Sequence, residues 1–146
     1  MKTAIIDSKG EVLDLAFQDT PIHFIPGGGA EQDPEDWWNA LLATAKKLVR
    51  KKTVPPERIA AIGISSTFSS TVAVDKDGNH LMNSLTWMDS RGAPYIRDRI
   101  KGTPSINGLG LFKALKWLKK TAGAPSPSGK DDIAHVLLTM HAFPDV

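Results

Sequence analysis

The sequence contains no cysteine among its 146 residues. A disulfide framework, a thiolate metal site and a cysteine nucleophile are therefore excluded. This composition is compatible with a reducing cytoplasm, which is the location we expect. An excess of one charge is also lacking, because 18 basic and 16 acidic residues give a net charge of +2. Such a balance, with basic residues scattered apart from the run at 46–52, argues against a nucleic-acid partner.

Long hydrophobic runs are missing as well. The N-terminal apolar run is interrupted by Asp7 and is far shorter than a signal sequence or a membrane span. We therefore expect no membrane partner. The length of 146 residues and the apolar fraction of 41% suit one globular domain, or part of one.

The first half of the chain carries clear signals of local structure. Two β-rich segments flank Ser8–Gly10 and predict a hairpin within residues 1–24. Residues 31–52 predict a helix, because Asp33 can cap its N-terminus and Pro34 suits its first turn. The apolar residues of this helix recur at helical spacing and predict a core-facing stripe of Trp38, Leu41, Leu42, Ala45, Leu48 and Val49.

The second half alternates strand-like and helix-like segments. Residues 59–65, IAAIGIS, form a continuous apolar run that is typical of a strand buried on both faces. A second hairpin is predicted around Asp75–Gly78, with the same turn pattern as Asp7–Gly10. Together these elements predict an α/β fold with a mixed sheet and helices on both faces. The other predicted elements are loops at 26–29 and 102–110, a short helix at 94–100, a helix at 111–121, a linker at 123–129 and a helix at 131–143. The helix at 111–121 is expected to direct Phe112, Leu115 and either Leu118 or Trp117 inward.

Three patterns resemble a phosphate loop, a metal site and a serine nucleophile, but each lacks residues or spacing that such a site requires. Residues 123–131, GAPSPSGKD, look like a phosphate loop but carry two prolines and place Asp where Ser or Thr must meet magnesium. His135 and His141 lie six residues apart and cannot form the i, i+4 metal pair. The serines at 65–70 lack a Gly-x-Ser-x-Gly elbow. We therefore identify no catalytic residue, cofactor-binding residue or metal ligand in this chain.

One short segment, LTWMDSRGA, places Trp87, Asp89 and Arg91 at alternate positions. On an extended chain this spacing directs all three side chains to one face, where an apolar ring lies beside an acceptor and a donor fork. Such a surface suits a polyhydroxylated ligand. The alternative is a strand end with Trp87 in the core and a surface ion pair between Asp89 and Arg91.

Several segments occur in a recognisable order. These are AEQDPEDWW at 30–38, the stretch 59–81, LTWMDSRGA at 85–93 and KALKWL at 113–118. As an ordered set they resemble the amino-terminal domain of the FGGY carbohydrate kinases, a family that includes xylulose, ribulose, gluconate and glycerol kinases. The resemblance implies that residues 1–146 are part of that domain. It also implies a ribonuclease-H-like fold of the actin and hexokinase type, with sugar and ATP bound between two domains.

The resemblance also implies roles for individual residues. Trp87 would lie against the carbon face of the sugar, and Asp89 and Arg91 would contact hydroxyl groups or support that wall. The loop after the buried strand departs from the Gln-Met-His or Gln-Arg-Glu of relatives, so the sugar and the hydroxyl phosphorylated stay open. The residues of that loop implied to bind substrate are Thr67, Phe68 and Ser69.

By the same resemblance the domain is incomplete. The family's first strand, with its Asp-x-Gly-Thr phosphate loop, would precede Met1, and Lys2 would be the basic residue of the next strand. The catalytic Asp and the C-terminal ATP-binding domain would follow Val146. The chain would then be part of an ATP-dependent sugar or polyol kinase that uses ATP and Mg²⁺ but is inactive alone. The alternative is a non-catalytic fragment that binds sugar or a partner, and in either case the oligomeric state stays open.

Overall fold

The computed structural model of the chain describes residues 1–121, 123 and 125–144. The chain divides into two compact units, the first comprising Met1–Pro21 and Asp33–Ser66 and the second comprising Ile22–Gln32 and the chain from Thr67 onward. The predicted domain and linker also extend over residues that lie outside the described ones, namely Ala122, Ala124, Asp145 and Val146.

The first unit begins with the predicted hairpin, which is confirmed. Strand β1 (Lys2–Ile6) pairs antiparallel with β2 (Val12–Phe17). The turn forms because the Asp7 carboxylate accepts two backbone amide bonds of 2.9 Å and Gly10 adopts a φ of +89°. This is a conformation that glycine reaches without a steric penalty.

Helix α1 (Pro34–Lys51) is confirmed with its predicted cap, since Asp33 Oδ1 accepts a 2.8 Å bond from the Glu35 amide. The predicted core stripe is wrong in part. Trp38 and Val49 are exposed, and the residues that α1 buries are Ala40, Thr44 and Leu48, at i, i+4 and i+8. Small side chains at the first two positions allow close approach to the hairpin, where Thr44 Oγ1 lies 2.7 Å from Thr3 Oγ1.

Residues 59–65 do not form the predicted buried strand. Ile62 and Ile64 are 87% and 85% exposed, and within the described part of the chain no hydrogen bond reaches residues 60–68. The physical reason is that a strand needs a neighbouring backbone to satisfy its amides and carbonyls. None of the described strands provides one.

The second unit contains a three-stranded antiparallel sheet in the order β3 (His23–Ile25), β4 (Gly29–Gln32), β5 (Ser84–Leu85). The expected loop at 26–29 is therefore a hairpin turn, in which Gly27 and Gly28 have φ values of +84° and +91°. The predicted hairpin around Asp75–Gly78 keeps its turn but is paired only through isolated bridges.

Helices α2 (Ala93–Ile100) and α4 (Asp132–Ala142) are confirmed and pack together. Ile96, Ile100 and Ala134 form the buried cluster between them. Within the region expected to be a loop, β6 (Ser105–Ile106) and β7 (Leu109–Gly110) form a small hairpin.

Helix α3 (Leu111–Thr121) has the predicted bounds but not the predicted packing. Of the residues expected to point inward, Phe112, Leu115 and Leu118 are exposed, whereas Trp117, the alternative to Leu118, is partly buried. Among the described helices and strands, β7 is the main element that contacts this helix, so its apolar face has little to pack against.

The α/β class predicted from the sequence is confirmed at this coarse level. A single mixed sheet with helices on both faces is not formed. The described strands make three small sheets, each of them antiparallel. No helix of the described residues is both long and apolar enough to cross a membrane.

Candidate functional site

A tight turn after β5 sets the position of Trp87. The backbone amide and Oγ1 of Thr86 both donate to the Ala30 carbonyl oxygen, at 2.9 and 3.0 Å, and continue the link between β5 and β4. The Asp89 amide then donates to the Thr86 carbonyl oxygen at 2.8 Å and reverses the chain. Trp87 lies in this turn with 52% of its surface exposed, so it is not a core residue.

Asp89, two residues later, is fully buried. Its Oδ2 accepts a 3.0 Å bond from the Ala30 amide, and its Oδ1 accepts a 2.9 Å bond from the Arg91 amide. The expectation of an extended chain with Trp87, Asp89 and Arg91 on one face is therefore wrong. Two successive turns expose the ring and bury the carboxylate.

Arg91 completes an ionic cluster that we call the Asp89 cluster, made of the fully buried Asp89 and the partly buried Arg91 and Glu31. The Arg91 guanidinium contacts Asp89 Oδ2 through Nε at 3.1 Å and through Nη2 at 2.6 Å, and Nη2 also contacts Glu31 Oε1 at 2.5 Å. Gly29 lies against this guanidinium, because a Cβ there would stand 2.8 Å from Arg91 Nε. The pair is thus internal, not the surface ion pair of the alternative.

Electrostatics favour the ionised form of this cluster. Burial works to raise the pKa of Asp89, but hydrogen bonds from the Arg91 side chain and from the Ala30 and Arg91 amides outweigh it and lower the pKa below its ordinary value. The hydrogen bond to Asp89 raises the pKa of Arg91, against the effect of burial. Both groups are therefore charged at neutral pH and satisfied by each other.

His135 on α4 supports the same turn. Its ring is fully buried, with Nε2 3.2 Å from the Asp89 carbonyl oxygen and Nδ1 3.3 Å from Thr71 Oγ1. In the sequence, His135 is a candidate only for a metal pair with His141, which their spacing excludes. Its place in an apolar helix indicated burial, but nothing local in the sequence indicated Asp89 as its partner.

An open cavity of about 370 Å³ lies beside the Trp87 turn. Phe68, which is 88% exposed, and Trp87 supply aromatic surface to it, and Ser69 has a left-handed φ of +53°. Four of the six predicted site residues therefore meet here, whereas Asp89 and Arg91 do not line the cavity. The lining residues are Thr67, Phe68, Ser69, Trp87 and Lys130.

Lys130 is the functional candidate that the sequence did not reveal. It belongs to the segment rejected as a phosphate loop, and it directly precedes Asp131, the N-cap of α4. The lining of the cavity includes no carboxylate and no histidine. Among the described residues no group of three His, Cys, Asp or Glu side chains could hold a metal ion.

A family model describing the FGGY family of carbohydrate kinases, N-terminal domain, matches residues 1–120. The chain belongs to this family. Lys130 and α4 lie beyond the matched residues.

Relatives of known name agree with this assignment. The chain is 30% identical to glycerol kinase of Thermococcus gammatolerans over 126 residues, which cover 80% of this chain and 26% of that protein. A ligand-bound xylulose kinase from Lactobacillus acidophilus superimposes with a TM-score of 0.57 at 26% identity, over 84% of this chain and 28% of that one. A Brucella ovis enzyme described as a xyloylose kinase gives a TM-score of 0.59 at 19% identity, over 88% and 30% of the two chains, and supports the fold alone. The chain thus spans about a quarter of the length of the curated relatives it matches.

Proposed function

We propose that this chain is the sugar-binding N-terminal part of an ATP-dependent sugar or polyol kinase. The observation that carries the proposal is the cavity in which Thr67 lies with the exposed rings of Phe68 and Trp87. Ser69 also lines it, but its side chain is nearly buried and its hydroxyl is engaged by Lys130 and Asp132. Aromatic faces pack against the C–H surface of a sugar, while hydroxyl groups exchange hydrogen bonds with its hydroxyls.

The Asp89 cluster has a supporting role in this proposal. Asp89 is fully buried and its carboxylate is occupied by Arg91 and the Ala30 amide, so a sugar hydroxyl cannot reach it without breaking those bonds. We assign Asp89 and Arg91 to holding the Trp87 turn in place. A rigid turn reduces the entropy that the site loses when it binds a ligand.

The complete enzyme would transfer the γ-phosphoryl group of ATP to a sugar hydroxyl, with Mg²⁺ spreading the charge and an Asp accepting the proton. The described residues offer no metal cluster, and the cavity contains no carboxylate. On the family resemblance, we assign the ATP site and the catalytic Asp to the part of the relatives that this chain does not span, and we expect the chain alone to be inactive. Because the donor is ATP, the proposed location is the cytoplasm.

The finer fold that we propose is an incomplete ribonuclease-H-like domain whose first strand is missing. The exposed run at 59–65 supports it, because its apolar side chains are exposed and no hydrogen bond from the described residues reaches the backbone of residues 60–65, as for a strand without its neighbour. In the complete domain a strand between β1 and this run would pair with both of them.

The test of sugar binding uses the purified chain and two matched tryptophans. Titration with xylitol, followed by amide NMR resonances, should shift the signals of residues 67–69 and 87. Trp87→Ala should weaken binding about tenfold or more, since a stacked ring contributes on the order of 1 kcal/mol beyond its buried area. Trp38→Ala is the control, because Trp38 on α1 is similarly exposed, at 56%.

Equal loss of binding in the two variants, or no shift at residues 67–69 and 87 at any polyol concentration, would reject this site. A coupled assay on the same chain should show no ATP consumption above the blank with xylitol, glycerol or gluconate. Measurable turnover would show that the chain alone is catalytic, contrary to the proposal.

A second candidate function is that of a non-catalytic fragment that assembles with a partner. It is favoured by the exposed apolar residues of the 59–68 segment, which offer a surface for another chain. Translation of the flanking genomic DNA separates the two functions. An upstream Asp-x-Gly-Thr strand and a downstream Gly-rich ATP domain, in frame or one frameshift away, would favour the kinase. Clean stop codons and a separate promoter would favour the independent fragment.

A further inference from the structure

We propose that Lys130 is a specificity-determining residue that selects polyols with a carboxylate at one end, that is, sugar acids. This inference rests on the proposed sugar-binding function of the cavity. Lys130 is the one charged residue among the five that line the cavity, and two of the others are exposed aromatic residues. A cation beside apolar surface is suited to a ligand that combines a carbon face with an anionic end.

The backbone of Lys130 is fixed at the cavity by Ser69. Ser69 Oγ lies 3.1 Å from the Lys130 carbonyl oxygen and 3.0 Å from Asp132 Oδ1, and it can donate its proton to either acceptor. Ser69 itself is nearly buried and has a left-handed φ of +53°. A residue other than glycine keeps this conformation only where its surroundings impose it. The contact therefore joins the loop at 67–69 to the start of α4.

The carboxylates next to Lys130 in sequence are engaged elsewhere. Asp131 caps α4 through a 2.9 Å bond from the Ala134 amide, and its second oxygen accepts a 2.8 Å bond from the Ser126 amide. Asp132 is within hydrogen-bond distance of Ser69. Among the described residues, the Lys130 ammonium group forms no ion pair. Its charge is thus available to a ligand.

The closing experiment compares two ligands that differ at one end. Gluconate carries a carboxylate where glucitol carries a hydroxymethyl group, and both are titrated into the purified chain while the amide resonances of residues 67–69, 87 and 130 are followed. We expect gluconate to bind about tenfold more tightly than glucitol, because a hydrogen bond between two charged groups is stronger than a neutral one.

Three variants locate the charge that is responsible. Lys130→Met should weaken gluconate binding far more than glucitol binding and so remove the preference for gluconate, whereas Lys130→Arg should keep most of the preference. Lys116→Met is the control, because Lys116 lies with Lys113, Lys120 and Trp117 around a separate depression of about 360 Å³ on α3. It should change neither affinity. Lys130 is exposed, so the unperturbed resonances of the variants will verify that the fold is intact.

The outcomes separate this inference from the function on which it rests. If glucitol binds as tightly as gluconate, or if Lys116→Met and not Lys130→Met removes the preference, the role of Lys130 is rejected and the polyol site stands. If propionate, titrated in the same way, binds as tightly as gluconate and depends on Lys130, the polyol chain adds nothing to gluconate binding, and the role of Lys130 in selecting sugar acids is rejected. If neither polyol shifts the resonances of the cavity, both proposals fail.

Discussion

The Asp89 cluster and the 59–65 segment differ in where their partners lie. Asp89 is buried, and the amides, guanidinium and ring that contact its carboxylate and carbonyl all belong to described residues of its own unit. Ile62 and Ile64 are almost fully exposed, and the backbone around them is unpaired within the described chain. The polar groups of the Asp89 cluster thus find their hydrogen-bond partners within this chain. An apolar run becomes a buried strand only when another backbone lies beside it.

The largest effect should come from breaking the cluster. Asp89→Asn removes the charge that pairs with Arg91 while keeping the size of the side chain. Arg91 would retain Glu31, but removing one partner of a buried ion pair generally costs about 3 kcal/mol or more. We expect the midpoint of urea unfolding of the second unit to fall accordingly, measured by the loss of its amide resonances.

Asp77→Asn is the matched control for that variant. Asp77 also pairs with a cation, Lys76, but both side chains are largely exposed. Surface pairs of this kind contribute about 0–1 kcal/mol. Similar losses of stability in the two variants would mean that the Asp89 cluster stabilises the fold no more than an exposed ion pair does.

The contrast also explains which parts of the fold could be predicted. The hairpin at Asp7–Gly10, the cap at Asp33 and the bounds of α3 depend on residues close in sequence, and all were predicted correctly. The strand at 59–65 and the inward face of α3 depend on distant partners, and both predictions were wrong. Periodicity shows which face of an element is apolar, but it does not show whether anything covers that face.

The same limit applied to the candidate site. Trp87 and the 67–69 loop were predicted from sequence motifs to bind substrate, and in the structure they line one cavity. The turns that bury Asp89 were not predicted, because alternate spacing was interpreted as extended chain. Lys130 could not be predicted as a site residue, because the hydrogen bond that holds it at the cavity joins its carbonyl oxygen to Ser69, which lies 61 positions away in the sequence.

Lowering the pH should remove the stabilising effect of Asp89 gradually, whereas Asp89→Asn removes it at every pH. The folded pKa of Asp89 lies below the ordinary value of 3.8, so its stabilising effect is complete above that value and is lost as the pH falls through the lowered folded pKa. The difference in unfolding free energy between the wild type and Asp89→Asn should stay constant from pH 7 to about 5 and shrink below about 4.

Other carboxylates also titrate in this range. Asp14, Asp75 and Asp98 have lowered pKa values through side-chain hydrogen bonds with Lys51, Asn79 and Lys101, respectively, but all three are present in both proteins and their effects cancel in the difference. A difference that shrinks already between pH 7 and 5 would show that the Asp89 pKa is not lowered.

The smallest effect on stability should come from the exposed run. Ile64→Lys replaces a side chain that is 85% exposed, and surface substitutions of this kind usually change the free energy of unfolding by less than about 0.5 kcal/mol. Ile96→Ala is the reference for a packed isoleucine, because Ile96 is 1% exposed and its truncation should cost about 2–5 kcal/mol. Ile64→Lys should also reduce self-association in light scattering, since a charge on an unpaired apolar segment opposes edge-to-edge pairing. A loss of about 2 kcal/mol or more in Ile64→Lys would mean that the 59–65 segment is buried in solution, and the contrast with the Asp89 cluster would then disappear.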